Sequence, residues 1–141
     1  MLLQMPVLRT YCKLKYVFEM EPYLTTITSY NIRNVLAKFR LSSHSLAIET
    51  GRHNKIPLSD RICLICNSGE IEDECHIAFH CSLYNNERSQ FLTICNITDL
   101  QFKRNKLVTL CNLMLDDKLV LYVGLFLKKC LEKRSKWLLN K

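Results

Sequence analysis

Four residues with metal-ligating side chains fall within nineteen positions of this chain, in the order Cys63-x2-Cys66-x9-His76-x4-Cys81. Structural zinc sites hold four ligands in a tetrahedron, one pair from a tight Cys-x2-Cys turn and one from a following segment. A chain that obeys this pattern must fold back on itself between the pairs. Ile62 leads into Cys63-Leu64-Ile65-Cys66, Asn67-Ser68-Gly69-Glu70 supplies a turn, and Asp73 is placed to cap a short helix carrying His76. Spacing leaves the fourth ligand open. On a continuous helix His80 lies i+4 from His76 and faces the same way, giving Cys2His2, whereas Cys81 gives Cys2HisCys if the helix ends near His80 and the chain turns inward. Cys75, adjacent to His76, points elsewhere and is read as packing with Ile71 and Phe79.

Four good ligands leave no open position for water, so the site reads as structural and closed, not catalytic. A redox Cys-x-x-Cys would want a βαβ context, and none surrounds Cys63. Asp116 and Asp117 lie in a helical pattern without the further carboxylates of a two-metal site, and Asp116 reads as a helix cap. Gly51, Gly69 and Gly124 are isolated, so no phosphate-cradling loop exists. The expectation is a protein that is not an enzyme and takes no small-molecule substrate.

Around the cluster the chain reads as amphipathic helix. With 141 residues, 48% apolar content and only three glycines and three prolines, it suits one small helical domain with little or no strand. A helix is expected from Pro6 through Val7, Tyr11, Leu14 and Phe18 until Pro22, and a second over Asn31 to Arg40 with Ile32, Val35, Leu36 and Phe39 inward. Thr28, Ser29 or Asn31 is available as its cap. From Leu41 to Arg61 the pattern weakens into loop, with Gly51 marking a turn. Ser82 is expected to cap a helix through Tyr84, Arg88, Phe91, Leu92 and Cys95, and Asp99 another through Leu107, Val108, Cys111 and Met114. Asp116 precedes the last and longest, striped by Leu119, Val123, Phe126 and Cys130. The lone Cys12, Cys95, Cys111 and Cys130 read as small buried hydrophobes.

Charge is segregated along the chain. Residues 1–56 carry net +5, residues 57–90 net −4 and residues 91–141 net +6, so the metal-binding module is an acidic island between two basic helical segments. These three segments are taken to pack as one domain. Phosphates are commonly held by basic side chains, and the candidate contacts to RNA or DNA backbone are Arg33, Lys38, Arg40, Arg52, Lys55 and Arg61. The helix from Leu119 to Leu131 is the candidate dock for another protein. The longest apolar run, Leu119 to Leu127, falls well short of the roughly 20 residues a membrane span needs. With no secretion signal at the start, an intracellular setting with reduced cysteines is expected, nucleus or cytoplasm alike.

An ordered series of segments then resembles a known family: Leu8-Arg9-Thr10-Tyr11-Cys12-Lys13-Leu14-Lys15, Glu21-Pro22-Tyr23-Leu24, Leu36-Ala37-Lys38-Phe39-Arg40-Leu41-Ser42-Ser43-His44, Ile48-Glu49-Thr50-Gly51-Arg52, Arg61-Ile62-Cys63-Leu64-Ile65-Cys66, and Ile71-Glu72-Asp73-Glu74-Cys75-His76 through Cys81-Ser82-Leu83-Tyr84 to Arg88. Over residues 7 to 92 the chain resembles the C-terminal, zinc-binding-like region of non-LTR retrotransposon reverse transcriptases. The resemblance implies Cys63, Cys66, His76 and Cys81 as ligands of zinc, with His80 outside the set. Ile77 and Cys75 stand where the family usually has aromatics. It also implies a detached or fragmentary tail, without the polymerase and its activity, that retains contact with nucleic acid.

Overall fold

The computed structural model describes residues 9–15, 17, 19–97 and 106–141. Among the described residues, seven α-helices run in chain order: α1 (Tyr11–Leu14), α2 (Tyr23–Thr26), α3 (Tyr30–Arg40), α4 (Ala47–His53), α5 (Asn85–Ile94), α6 (Lys106–Leu115) and α7 (Val120–Leu139). Among the described residues there is no strand, only one antiparallel bridge between Ile62 and Ile71. The fold is a small, mainly helical domain with a knuckle-like Cys/His insert between α4 and α5.

The long helix α7 is the element on which α3, α5 and α6 pack. Its buried stripe is Val120, Val123, Phe126, Leu127 and Cys130, an i, i+3, i+4 pattern, and it meets the Ile32, Leu36 and Phe39 stripe of α3. The two helices approach closely at Gly124, where a Cβ would lie 2.4 Å from Ile32 Cγ2 and 3.1 Å from Leu36 Cδ1. On the neighbouring flank, Phe91 of α5 stacks on Phe126 with ring centroids 4.7 Å apart. Cys95, Cys111 and Cys130 are buried small side chains, as read from their apolar surroundings. No helix among the described residues is long and apolar enough to cross a membrane.

Three local expectations are corrected. The first helix is a single turn, because Lys15 leaves the helical region (φ −113°, ψ 114°) and its ammonium reaches the Glu21 carboxylate at 2.9 Å. Val7 and Phe18 lie outside the described residues, as does Asp99. The expected loop around Gly51 contains α4, and Gly51 is helical; its missing Cβ makes room for the Arg61 side chain, whose Cγ would otherwise lie 2.5 Å away. Ser29 and Ser82 stand at helix starts without making a side-chain cap, whereas Asp116 Oδ1 accepts from the Lys118 and Leu119 amides at 2.8 and 3.2 Å.

α4 forms despite its glycine because a distant residue completes its first turn. Glu72 Oε2 accepts the Ala47 amide at 2.8 Å and the Glu72 carbonyl accepts the Ile48 amide at 3.1 Å, which satisfies donors that a helix N-terminus leaves open. Two members of the acidic island, Glu72 and Glu74, are thus turned inward. The Glu72 carboxylate also receives a two-pronged bond from Arg134 of α7, at 2.7 and 2.8 Å. Buried Glu74 accepts from Arg9 at 2.8 Å, lies 3.0 Å from His44 Nε2, and accepts from Thr10 and Ser42 hydroxyls at 3.3 Å. Burial alone would raise the Glu74 carboxyl, but the His44 and Arg9 contacts outweigh it and bring it down to about 2.

Candidate metal centre

The site is assembled from a hairpin and a widened helical turn. The hairpin is closed by Cys63 N–H to Glu70 O (2.9 Å) and Glu72 N–H to Arg61 O (3.0 Å), and its loop turns through Asn67 and Gly69, both at positive φ. Cys63 lies on its first arm and Cys66 in the turn that follows. The second part starts at Asp73, whose Oδ1 accepts the His76 amide at 2.7 Å, the cap that the sequence suggests.

Residues His76–His80 form a π turn, closed by a bond from the Cys81 amide to the His76 carbonyl at 2.8 Å. Closure over five residues places residue i+5 above residue i, as i+4 stands in an α-helix. This wide turn therefore decides which residue joins the other three. It carries Cys81 back over His76, and the chain then leaves in extended conformation (ψ 124°). Arg88 of α5 holds the turn from behind. Its guanidinium donates to the carbonyls of Ala78, Cys81 and Ile77 at 2.9, 2.8 and 3.4 Å, supplying the partners a helix C-terminus lacks.

As a result, one ligand atom from each of Cys63, Cys66, His76 and Cys81 lies within 4.8 Å of every other. The Cys63 and Cys81 sulfurs are 4.0 Å apart, and Cys66 Sγ is 3.4 Å from His76 Nε2. Tetrahedral zinc with ordinary Zn–S and Zn–N bonds requires about 3.8 Å between sulfurs and about 3.6 Å from sulfur to nitrogen. The donor set fits that cage, while 4.0 Å is twice a disulfide bond.

The three thiols differ electrostatically. Burial pushes the Cys63 thiol up, and burial pushes Cys81 up to about 12. Cys66 is less covered; burial raises it too, but the Ser68 hydroxyl, 3.1 Å from its sulfur, and the Ser68 amide, with Cys63 and His76, outweigh this and bring it to about 6. Cys75 stays outside the cluster, pushed up to about 12 by burial and by neighbouring Asp73.

His80 is also outside the cluster. Its Nδ1 lies 3.1 Å from Glu70 Oε2, and the same oxygen is 2.9 Å from His76 Nδ1. The contact with His80, ahead of that with His76, holds the Glu70 carboxyl below its ordinary value. On its other side His80 Nε2 contacts the Lys106 ammonium of α6. Glu70 and Arg88 were absent from the sequence-based site. Arg88 stands inside a segment of the resemblance, and Glu70 could have been noticed only as a carboxylate six residues before a ligand histidine.

The six cations read as phosphate contacts are not gathered on one outward face. Arg40 is 2% exposed, contacts the Glu21 carboxylate, donates to Met114 O at 3.1 Å and lies over the Tyr23 ring. Arg33 donates to the carbonyls of Ile27 and Thr28, Arg52 to Glu49, and Arg61 to the carbonyls of Ile56 and Ile48. Lys38 and Lys55 are exposed. No family model, curated protein or solved structure matches the chain.

Proposed function

We propose that this chain is a non-enzymatic helical module clamped by one structural zinc ion and that it contacts the backbone of RNA or DNA. The observation that carries the reading is the convergence of Cys63, Cys66, His76 and Cys81 within 4.8 Å, with separations that suit tetrahedral zinc. All four ligands come from the chain, so bound zinc would serve to hold the hairpin to the π turn, and its binding free energy would be folding free energy. The similarity to the tail region of non-LTR reverse transcriptases and the net charge of +7 support nucleic acid as the partner.

Among the described residues, the cations available for such contact include the exposed lysines Lys38, Lys55, Lys129 and Lys136, because the arginines serve internal acceptors. Charge reversal at Arg40 or Arg52 would therefore report on folding. The informative experiment titrates short single-stranded RNA and DNA against the zinc-loaded protein and a Lys38→Glu/Lys55→Glu/Lys129→Glu variant. Binding should fall by orders of magnitude between about 50 and 200 mM salt if several phosphates are neutralised, and the variant should bind weakly while unfolding at the wild-type temperature. Absent or salt-insensitive binding would refute the nucleic-acid contact.

A second reading, docking of another polypeptide on α7, is favoured by one observation. Tyr122 and Leu125 of α7, with Ile94 of α5, form an apolar groove whose residues are 40%, 38% and 59% exposed. Lys129 lines this groove, so under this reading a Lys38→Glu/Lys55→Glu variant, which leaves Lys129 in place, would keep partner capture intact.

A further inference from the structure

Glu70 is a surface carboxylate, half exposed at the tip of the hairpin, yet one of its oxygens lies within hydrogen-bond distance of two imidazoles. A carboxylate can only accept, so both His76 Nδ1 and His80 Nδ1 must carry the proton in these bonds. For His80 the other ring nitrogen is then an acceptor, which agrees with the Lys106 ammonium at its Nε2. In the neutral ring of His76 the other nitrogen, Nε2, then keeps its lone pair, and it faces Cys66 and the thiol cluster. Every proton in the chain Lys106, His80, Glu70, His76 is thus placed by its neighbour. A second cation could take the same Glu70 oxygen and the two Nδ1 atoms only if both Nδ1 protons left, so the trio is read as a brace and not as a site.

We propose that Glu70 is the positioning residue of the metal centre: by accepting the His76 Nδ1 proton it fixes the tautomer and ring orientation that present Nε2 to the ion, while His80 and Lys106 hold the carboxylate from outside. This rests on the zinc reading above. Ligating histidines generally donate their second ring proton to such a partner, and loss of the partner weakens metal affinity by roughly 10- to 100-fold. His80, which sequence spacing offers as a ligand, acts through Glu70.

The test uses the full chain. The zinc dissociation constant is measured by competition with a chelator of known affinity, and the tautomer of His76 is read from its imidazole nitrogen shifts. The wild type should bind one zinc through His76 Nε2 with Nδ1 protonated. Glu70→Ala should raise Kd by roughly 10- to 100-fold and leave metal-free His76 in mixed tautomers, an effect that a merely structural surface residue would not produce. Glu70→Gln, whose amide oxygen still accepts, should keep the tautomer and fall between. His80→Ala should cost no more than Glu70→Ala, and the double variant no more than Glu70→Ala alone. A Glu70→Ala protein with wild-type affinity and tautomer, a His80→Ala protein that no longer binds zinc, or a wild type that takes two ions would overturn the proposal. A wild type that takes no zinc would overturn the zinc reading as well, and that is seen before any variant is made.

Discussion

Gly124 shows how a single residue can reverse the usual sign of a substitution. In an exposed helix interior, replacing glycine by alanine stabilises by about 1 kcal/mol, because glycine loses more backbone freedom on folding. Here the added methyl would stand 2.4 Å from Ile32 Cγ2 and 3.1 Å from two atoms of Leu36, both side chains being buried. To accept it, α3 and α7 must move apart along their shared stripe, and overpacking of this kind costs about 1–3 kcal/mol. Gly124→Ala should therefore lower the denaturant midpoint, whereas Gly69→Ala, with open space around its Cβ, should lose stability only through its positive φ of 73°. Equal or greater stability of Gly124→Ala would mean that the two helices cross elsewhere.

At the scale of elements, α4 depends on a residue far away in sequence. Glu72 completes its first turn through Ala47 and Ile48 and ties it to α7 through Arg134, in surroundings where both charged side chains are largely covered. Removing one partner of a covered, hydrogen-bonded ion pair leaves the other uncompensated, at a cost of about 3–5 kcal/mol. Glu72→Ala should show a loss of that size in denaturant unfolding, and a Glu72→Leu/Arg134→Leu double variant should recover a good part of it; a loss near zero would contradict the assignment. This dependence explains what the sequence conceals. The stripes of α3 and α7 are legible because Ile32, Leu36, Phe39 and Val123, Phe126, Cys130 repeat with the helical period. α4 is illegible because its start is bonded by Glu72, its buried positions include Glu49, and its glycine serves Arg61. At the metal centre, Cys63, Cys66 and His76 follow from spacing, but spacing cannot distinguish an α turn from a π turn, and that difference separates His80 from Cys81.

For the whole molecule, the alternation of basic, acidic and basic segments describes how the chain closes on itself. Glu74 binds Arg9 of the first segment, while Glu72 and Glu87 bind Arg134 and Lys133 of the last. The acidic middle is thus the meeting place of the two basic arms, and among the described residues the Lys/Arg side chains left exposed are lysines. The same middle carries the Cys/His cluster, so holding the cluster closed also holds the partners of both arms in place. The most direct measurement is zinc stoichiometry by native mass spectrometry, paired with thermal unfolding of the same sample before and after chelation. One zinc per chain, lost on chelation together with a drop in the unfolding temperature, and absent from a Cys63→Ser/Cys81→Ser variant, is the predicted result. A chain that carries no zinc, or that unfolds at the same temperature once its zinc is stripped, would contradict the account.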